Sequence, residues 1–287
     1  MKKVQTGQVI EFYSNTCLVK TNFGEFGCVA IKNVVVGDYV ELEIIQDSKK
    51  THGKILKISY RNSKISKRIG NKNKLFAANV THVGILVSPS PKTSSEFIDK
   101  WIIKSKTSKI VPFIINNKTD IESSLEYDER LGIYKNIGLK IISISAKYDE
   151  NIGEIVDYLK DKCVLFVGNS GAGKSTLTSK VIGKEIKTSS LSNDQGVHTT
   201  SISSLYEAEN GLKIIDSPGM RDIELADYST NEIIKGFDEI YNASKHCKFN
   251  DCNHIDNDGC NIANLVSNGQ INISRYNNFI KFIINNK

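Results

Sequence analysis

The sequence contains no apolar run approaching the roughly 18 residues that a membrane-spanning helix needs. Its first residues include Lys2 and Lys3 but not the apolar stretch that follows in a secretory signal. It also contains no internal repeat and no low-complexity segment. We therefore expect a soluble, cytoplasmic protein without membrane attachment, whose 287 residues form one large domain or a few small ones.

Acidic side chains are absent from two parts of the chain. Residues 48–74 contain ten Lys or Arg and no Asp or Glu, and residues 261–287 also lack acidic side chains. A solvated, flexible basic linker would account for the first of these segments. The functional alternative is a polyanion contact, because each phosphate that a cation neutralises releases counterions.

Three of the six cysteines lie close together near the C-terminus. Crowding of this kind in a reducing compartment favours a metal over disulfides, and three thiols with one imidazole are the ligands of a closed structural Zn²⁺ site. The predicted zinc ligands are Cys247, Cys252, His254 and Cys260. His246 would be a fifth ligand and is interpreted as a bystander. The remaining cysteines lie in predicted strands, where they would be small buried hydrophobic residues.

The first 62 residues contain five short segments that alternate like β-strands. These segments lie near residues 9–12, 16–20, 26–31, 39–45 and 53–58. In the fourth, Val40 and Leu42 would face inward while Glu41 and Glu43 face solvent. Strands of this length predict a small barrel, with an oligonucleotide-binding (OB) barrel as the leading candidate and an SH3-like barrel as the alternative.

From about residue 80 apolar strands alternate with helix-length segments, which indicates a parallel sheet covered by helices. These strands are predicted at residues 83–87, 110–115, 139–144, 163–167, 201–206 and 212–215. After about residue 225 the strands stop, and helices are predicted at residues 231–241 and 273–283. We expect a multidomain α/β protein with domains at residues 1–62, 63–224 and 225–287.

A glycine-rich phosphate loop is the strongest motif. It follows strand 163–167 and precedes a helix that begins near Lys174 and ends at Gly183, the context that the motif requires. Backbone N–H groups of such a loop converge on phosphate oxygens, Lys174 would bridge the β- and γ-phosphates, and Ser175 would bind Mg²⁺. The predicted phosphate-binding residues are Gly168, Asn169, Ser170, Gly171, Ala172, Gly173, Lys174, Ser175 and Thr176.

Asp216-Ser217-Pro218-Gly219 follows the apolar strand 212–215. Taken alone, this motif would be interpreted as a turn. With the phosphate loop upstream, Asp216 is predicted to lie near Mg²⁺ and the Gly219 N–H to face the γ-phosphate. Either Thr199 or Thr200, in the intervening segment Gly196-Val197-His198-Thr199-Thr200, would contact Mg²⁺, and the sequence does not choose between them.

Met220 stands where a water-positioning glutamine is expected. A thioether cannot orient or activate water, so His198 is predicted to be catalytic, because an imidazole titrates near neutral pH. A histidine that only packs against or caps the loop is the alternative. We expect low intrinsic turnover of the nucleotide that rises when a partner binds.

Guanine recognition is predicted from two motifs that precede the phosphate loop. In Asn117-Lys118-Thr119-Asp120, the Asp120 carboxylate would accept hydrogen bonds from the ring N1–H and the exocyclic amine of guanine. Lys118 would lie along the base plane, and Asn117 would connect this loop to the phosphate loop. In Ser145-Ala146-Lys147, the backbone N–H of Ala146 would reach the guanine carbonyl.

The order of these motifs is the reverse of that in an ordinary GTPase and indicates a circularly permuted P-loop GTPase domain. The chain passes from Asp216 almost directly into the predicted zinc domain. A change at the γ-phosphate would therefore reach that domain through few residues.

Together these features resemble the ribosome small-subunit-dependent GTPase A family (RsgA, also called YjeQ) over essentially all 287 residues. Three further segments match that family: Val36-Gly37-Asp38-Tyr39-Val40, Ala77-Ala78-Asn79-Val80 and Arg275-Tyr276. The resemblance implies an OB barrel and a zinc domain that flank the permuted GTPase domain. It also implies a monomer that uses Mg²⁺ with GTP and acts late in assembly of the small (30S) ribosomal subunit. Such a protein binds the rRNA of the subunit, its hydrolysis of GTP is stimulated by the subunit, and His198 would assist catalysis.

The chain departs from the family at Asn257-Asp258, which replace a usual Glu-Pro before the Gly-Cys of the zinc loop. Two other functions fit parts of the sequence. A permuted GTPase that serves the large subunit would lack the barrel and the cysteine cluster. An RNA-binding switch that binds GTP but barely hydrolyses it would explain Met220.

Overall fold

The computed structural model describes residues 4–46, 51–70, 72–183, 202–217, 223–249, 252, 254–255 and 258–285. The N-terminal strands are β1 (Val4–Phe12), β2 (Thr16–Thr21), β3 (Gly24–Val29), β4 (Tyr39–Gln46) and β5 (Thr51–Ile58). They follow the order β1-β2-β3-β5-β4, and β1 also pairs with β4, so the ring closes. Val9, Val19, Val40 and Leu42 fill its interior. The predicted OB-type barrel is confirmed.

The basic segment continues into a two-stranded antiparallel hairpin formed by β6 (Lys64–Ile69) and β7 (Lys72–Ala78). These two strands were not predicted from the sequence. They show that this part of the basic segment is not a flexible linker. A bridge from Val36 to Ala77 joins the hairpin to the barrel. Gly37 lies at this junction with φ +88°, and a Cβ there would come within 2.2 Å of the Ala78 carbonyl oxygen, so only glycine fits.

The central strands are β8 (His82–Val87), β9 (Val111–Asn117), β10 (Ile141–Ile144), β11 (Cys163–Gly168), β12 (Ser203–Glu207) and β13 (Lys213–Asp216). Their order is β10-β9-β8-β11-β13-β12, parallel except for β12. β12 also pairs antiparallel with β1, so the barrel and the central sheet are continuous. The crossovers place the carboxyl ends of the parallel strands at one edge, where ligands of such sheets bind.

Helices cover both faces of this sheet. They are α1 (Ser95–Thr107), α2 (Leu125–Asn136), α3 (Ile152–Tyr158) and α4 (Lys174–Ile182). Trp101 of α1 and Tyr134 of α2 belong to the hydrophobic core on one face. Ile155 of α3 and Leu177 of α4 belong to the core on the other.

The C-terminal unit contains α5 (Thr230–Ile233), α6 (Asp238–Ser244), α7 (Asn261–Ser267) and α8 (Ile273–Ile284). The single helix predicted at residues 231–241 is interrupted by a 3₁₀ turn, Ile234–Gly236. Phe237 then leaves the helical conformation, with φ −122° and ψ 78°, and its buried ring packs against Phe279 and Phe282. Tertiary packing thus overrides the local helical pattern. Within the described ranges, no helix has the length and apolarity needed to cross a membrane.

Candidate functional site

The motifs predicted to bind the nucleotide meet at the carboxyl edge of the central sheet. β9 ends at Asn117, β11 ends at Gly168, and β13 ends at Asp216. Ser145 directly follows β10. These strands run parallel, so their ends bring together motifs that are far apart in sequence.

Asn117 joins three of the loops. Its Nδ2 donates a hydrogen bond to the carbonyl oxygen of Ala172 at 2.8 Å, and its Oδ1 accepts one from the backbone N–H of Ala146 at 3.0 Å. Gly173, with φ +97°, passes so close that a Cβ there would lie 2.2 Å from Asn117 Nδ2. The buried amide therefore fixes the base-recognition loops to the phosphate loop, as the sequence predicts for this residue.

Asp120 is held by its neighbour in the second base motif. The Ser145 hydroxyl donates to Asp120 Oδ1 at 2.5 Å, which orients the carboxylate that is predicted to read guanine. The backbone N–H of Thr119 donates to the Ile144 carbonyl oxygen at 3.2 Å. The Ala146 N–H is already hydrogen-bonded to Asn117, so its predicted contact with the guanine carbonyl requires it to share or redirect this bond.

Lys118 has a left-handed backbone, with φ +68°, and its Nζ donates to the Ser90 carbonyl oxygen at 2.6 Å. The Lys147 ammonium lies 4.7 Å from the centroid of the Tyr148 ring. Both cations therefore lie in the base-motif loops, although their contact with a base remains a prediction.

The phosphate loop forms a tight turn in which the Ala172 N–H donates to the Asn169 carbonyl oxygen at 3.2 Å. Lys174 Nζ donates to the carbonyl oxygens of Gly168, at 2.5 Å, and Asn169, at 3.0 Å. The residues at the solvent-exposed rim of the loop and at the start of α4 are Ser170, Gly171, Ser175 and Thr176. Their exposure leaves room for a phosphate chain at the N-terminus of this helix.

Asp216 ends β13 on the metal side of the predicted site. Desolvation raises the pKa of its carboxyl group, and the positive charge of Lys174 opposes that rise. The Ser217 hydroxyl lies 3.1 Å from that of Ser203 on β12. The other predicted switch residues lie outside the described residues: Gly219, His198, Thr199 and Thr200. Met220 lies outside them as well.

One loop of this site was missed in the sequence. Residues 88–94, between β8 and α1, contact both the base motif and the phosphate loop: Ser90 accepts from Lys118, and the Lys92 carbonyl oxygen accepts from Asn169 Nδ2 at 3.2 Å. The signal that could have identified it is its position at the carboxyl end of the central strand β8.

The four predicted metal ligands converge in the C-terminal unit. The ligand atoms of Cys247, Cys252, His254 and Cys260 all lie within 4.8 Å of one another. Cys247 Sγ and His254 Nδ1 are 3.7 Å apart, and the Tyr276 hydroxyl donates to the His254 carbonyl oxygen at 2.9 Å. Three thiols and one imidazole suit a tetrahedral metal ion. The cluster can therefore hold a metal ion.

The chain is similar to known GTPases. The model of a family described as RsgA GTPase matches residues 58–226. A protein of Bacteroides fragilis (strain YCH46), named small ribosomal subunit biogenesis GTPase RsgA, is 32% identical over 291 residues, covering 98% of this chain and 91% of the relative. A Flavobacterium psychrophilum protein of the same name is 30% identical over 277 residues, covering 93% and 85%.

Two solved structures agree over nearly the whole chain. The crystal structure of YjeQ from Thermotoga maritima has a TM-score of 0.77 and 26% sequence identity, and 99% of each chain is covered. The structure of YloQ, titled a circularly permuted GTPase, has a TM-score of 0.73 and covers 99% of this chain and 95% of that one. At 21% identity the second shows the fold alone.

Proposed function

The chain belongs to the RsgA GTPase family and is a GTP hydrolase, and from this premise we propose that it acts in the biogenesis of the small ribosomal subunit. Its curated relatives carry that role in their names. The observation that most supports the proposal is the combination of one nucleotide site with two flanking units, a barrel and a Cys/His cluster. A permuted GTPase that serves the large subunit is expected to lack both.

In the proposed nucleotide site, Asp120 reads guanine and residues 168–176 bind the phosphates. Asn117 supports this role because it holds the two loops together from a buried position. Lys174 would exchange its carbonyl partners for phosphate oxygens. Ser175 and Asp216, with Thr199 or Thr200, would hold Mg²⁺, which supplies neutralisation of the charge that develops on the phosphates.

For hydrolysis we assign His198 the role of positioning or activating the attacking water. Met220 supports this assignment, because its thioether cannot do so. The absence of a glutamine at that position also favours slow hydrolysis by the protein alone and stimulation by a partner.

We assign zinc to the cluster of Cys247, Cys252, His254 and Cys260. Four protein ligands complete a tetrahedral shell and leave no position for a substrate, so the role is structural. Among the described residues of the loop between α6 and α7, only Cys247, Cys252 and Cys260 belong to the C-terminal core, so the metal would replace apolar packing there.

The partner we propose is the small subunit through its rRNA, contacted by a monomer in the cytoplasm. The hairpin β6–β7 carries Lys64, Lys67, Lys72 and Lys74, and neither strand contains an acidic residue. Such a row of cations suits a phosphate backbone. We further propose that residues 1–62, 63–224 and 225–287 are the functional units.

Sedimentation with purified ribosomal subunits tests this proposal. The protein with a non-hydrolysable GTP analogue should pellet with small subunits and not with large ones, and GDP should weaken that association. A Lys72→Ala/Lys74→Ala double variant should bind more weakly with a smaller salt dependence, because two phosphate contacts are lost. Equal pelleting with both subunits would contradict the proposed partner.

A further inference from the structure

The geometry points to residues 88–105, which we call the connector, as a route by which the nucleotide site and the C-terminal metal-binding unit influence each other. Its near end is the loop 88–94 and its far end lies in α1. Asp99 of α1 and Arg275 of α8 then act as positioning residues for the nucleotide loops. This inference rests on the proposed nucleotide site and adds to it a mode of regulation.

The near end of the connector lies between the two halves of the nucleotide site. Lys118 of the base motif donates to the Ser90 carbonyl oxygen at 2.6 Å, and Asn169 of the phosphate loop donates to the Lys92 carbonyl oxygen at 3.2 Å. A Cβ on Gly171 would be in van der Waals contact with Pro91, 3.6 Å from its Cδ. Displacement of either nucleotide loop would therefore shift the backbone of loop 88–94.

Hydrogen bonds hold the junction between the loop and α1. The Ser94 hydroxyl caps the helix by accepting from the Phe97 N–H at 3.2 Å, and Arg130 of α2 donates to the Thr93 carbonyl oxygen. α1 then buries Trp101 and Ile102 in the core beneath the sheet. A capped and packed helix moves as a rigid body, so a shift at its first turn reaches the residues beyond it.

The far end of the connector is held by the C-terminal unit. Asp99 is fully buried, and its Oδ1 accepts from Arg275 Nη1 at 2.5 Å and from the Tyr134 hydroxyl at 2.9 Å. Its Oδ2 accepts from Asn278 Nδ2 at 2.6 Å. Arg275 also donates to Glu239 Oε1 at 2.7 Å. One carboxylate thus joins α1 to α2 and α8, and through Arg275 to α6.

This contact resists separation for an electrostatic reason. Desolvation raises the pKa of Asp99, and the guanidinium of Arg275 opposes that rise. Parting α1 from α8 would leave a charge unpaired in the interior, which is strongly unfavourable. The 3₁₀ turn before α6 also packs closely on α1, because a Cβ on Gly236 would lie 2.2 Å from Ile103 Cγ1. α1 and α8 must therefore move together. The connector supplies a second route to the C-terminal unit, in addition to the short chain segment after Asp216 that the sequence suggests.

The experiment compares Asn278→Ala with Lys281→Ala in the full-length protein. Asn278 bonds to buried Asp99, whereas the exposed Lys281, on the same helix, pairs with the partly buried side chain of Glu96 on α1 at 2.6 Å. Fluorescent GDP is titrated against each protein. We expect the dissociation constant of Asn278→Ala to rise about fivefold or more, within the usual range of coupling between sites, and that of Lys281→Ala to stay near wild type.

Hydrogen exchange gives a second readout, first on the wild-type protein and then on the two variants, that a purely structural role would not change. GDP should increase the protection of backbone amides in residues 273–284, distant from the nucleotide, and this response should be lost in Asn278→Ala and kept in Lys281→Ala. If GDP binds normally, leaves α8 exchange unchanged and binds Asn278→Ala as tightly as wild type, the inference is overturned while the nucleotide site stands. If the wild type binds no GDP, both are overturned.

Discussion

The side-chain amide of Asn117 donates a hydrogen bond across 2.8 Å to the carbonyl oxygen of Ala172, 55 positions later in the chain. The bond joins the base motif to the phosphate loop although their order along the chain is reversed. The strand order of the sheet explains why the permutation is tolerated, because β9 and β11 both flank β8. The proposed nucleotide site therefore depends on this adjacency of loops rather than on the order of the motifs.

Replacing Asn117 by Ala should weaken GDP binding. The change leaves the buried carbonyl of Ala172 and the N–H of Ala146 without their partner, at a cost of about 1–3 kcal/mol. If the two loops separate to relieve that cost, the binding-competent arrangement is less populated, and GDP affinity should fall by up to roughly 5- to 150-fold. Isothermal titration with GDP measures it. Asn116→Ala is the matched control, since Asn116 bonds instead to Ser143 and Tyr127. Equal losses in the two variants would contradict the role given to Asn117.

Asp120→Asn should change the base that is recognised. The carboxylate accepts from two donors of guanine, whereas an amide presents a donor toward the exocyclic position, which suits the carbonyl oxygen of xanthine. GDP affinity should fall at least about 100-fold and XDP affinity should rise. Competition binding with GDP, XDP and ADP checks this. A variant that still prefers GDP would show that the base lies elsewhere.

The sequence predicted what depends on local pattern. Alternating residues such as Val40 and Leu42 marked the barrel strands, and Gly183 marked the end of α4, where it adopts φ +68° as a left-handed cap. The motif sequences predicted most of the loops that meet at the carboxyl edge of the sheet, because each one carries its own turn chemistry.

What could not be predicted depends on contacts between distant segments. The pairing of β1 with β12 joins residues nearly two hundred positions apart, and the break in the helix at Phe237 follows from packing against Phe279. The loop 88–94 has no motif, since it contributes backbone carbonyls such as that of Ser90 rather than side chains. Backbone acceptors leave no signature in a sequence.

Loss of one metal ligand should unfold the C-terminal unit. Cys260→Ser removes a thiolate from a cluster that is closely packed beside the C-terminal core, so metal content should fall from about one ion per chain toward none. The helical signal and the melting temperature should fall with it. Elemental analysis and circular dichroism measure the two effects. His246→Ala, adjacent to the cluster but outside it, should keep its metal; loss there would mean that the ligand set is wrong.

Because of Lys104 on α1, the free energy of unfolding should rise with pH in the alkaline range. Burial lowers its pKa from 10.5 to about 8, against the opposing charges of Asp227 and Glu232. The unfolded chain therefore binds this proton more tightly than the folded chain. At neutral pH the charged Lys104 lowers the free energy of unfolding, and this destabilisation shrinks as the pH rises from about 8 toward 10.5.

Lys104→Met should remove this dependence and stabilise the protein at pH 7 by about 1–3 kcal/mol, because an apolar side chain has no charge to desolvate. Urea unfolding at pH 7 and pH 9 provides the measurement, and the advantage of the variant should be smaller at pH 9. Lys106→Met, which removes a surface ion pair with Asp238, should show no such change between the two pH values. A destabilised Lys104→Met protein at pH 7 would mean that the charge is favourable where it lies.

The rate of GTP hydrolysis by the purified protein alone, with small subunits and with large subunits tests the central claim most directly. We predict slow hydrolysis alone, strong stimulation by small subunits only, and loss of that stimulation in His198→Ala with GDP affinity unchanged. Stimulation by large subunits only, or an unstimulated rate as high as the rate with small subunits, would contradict the account.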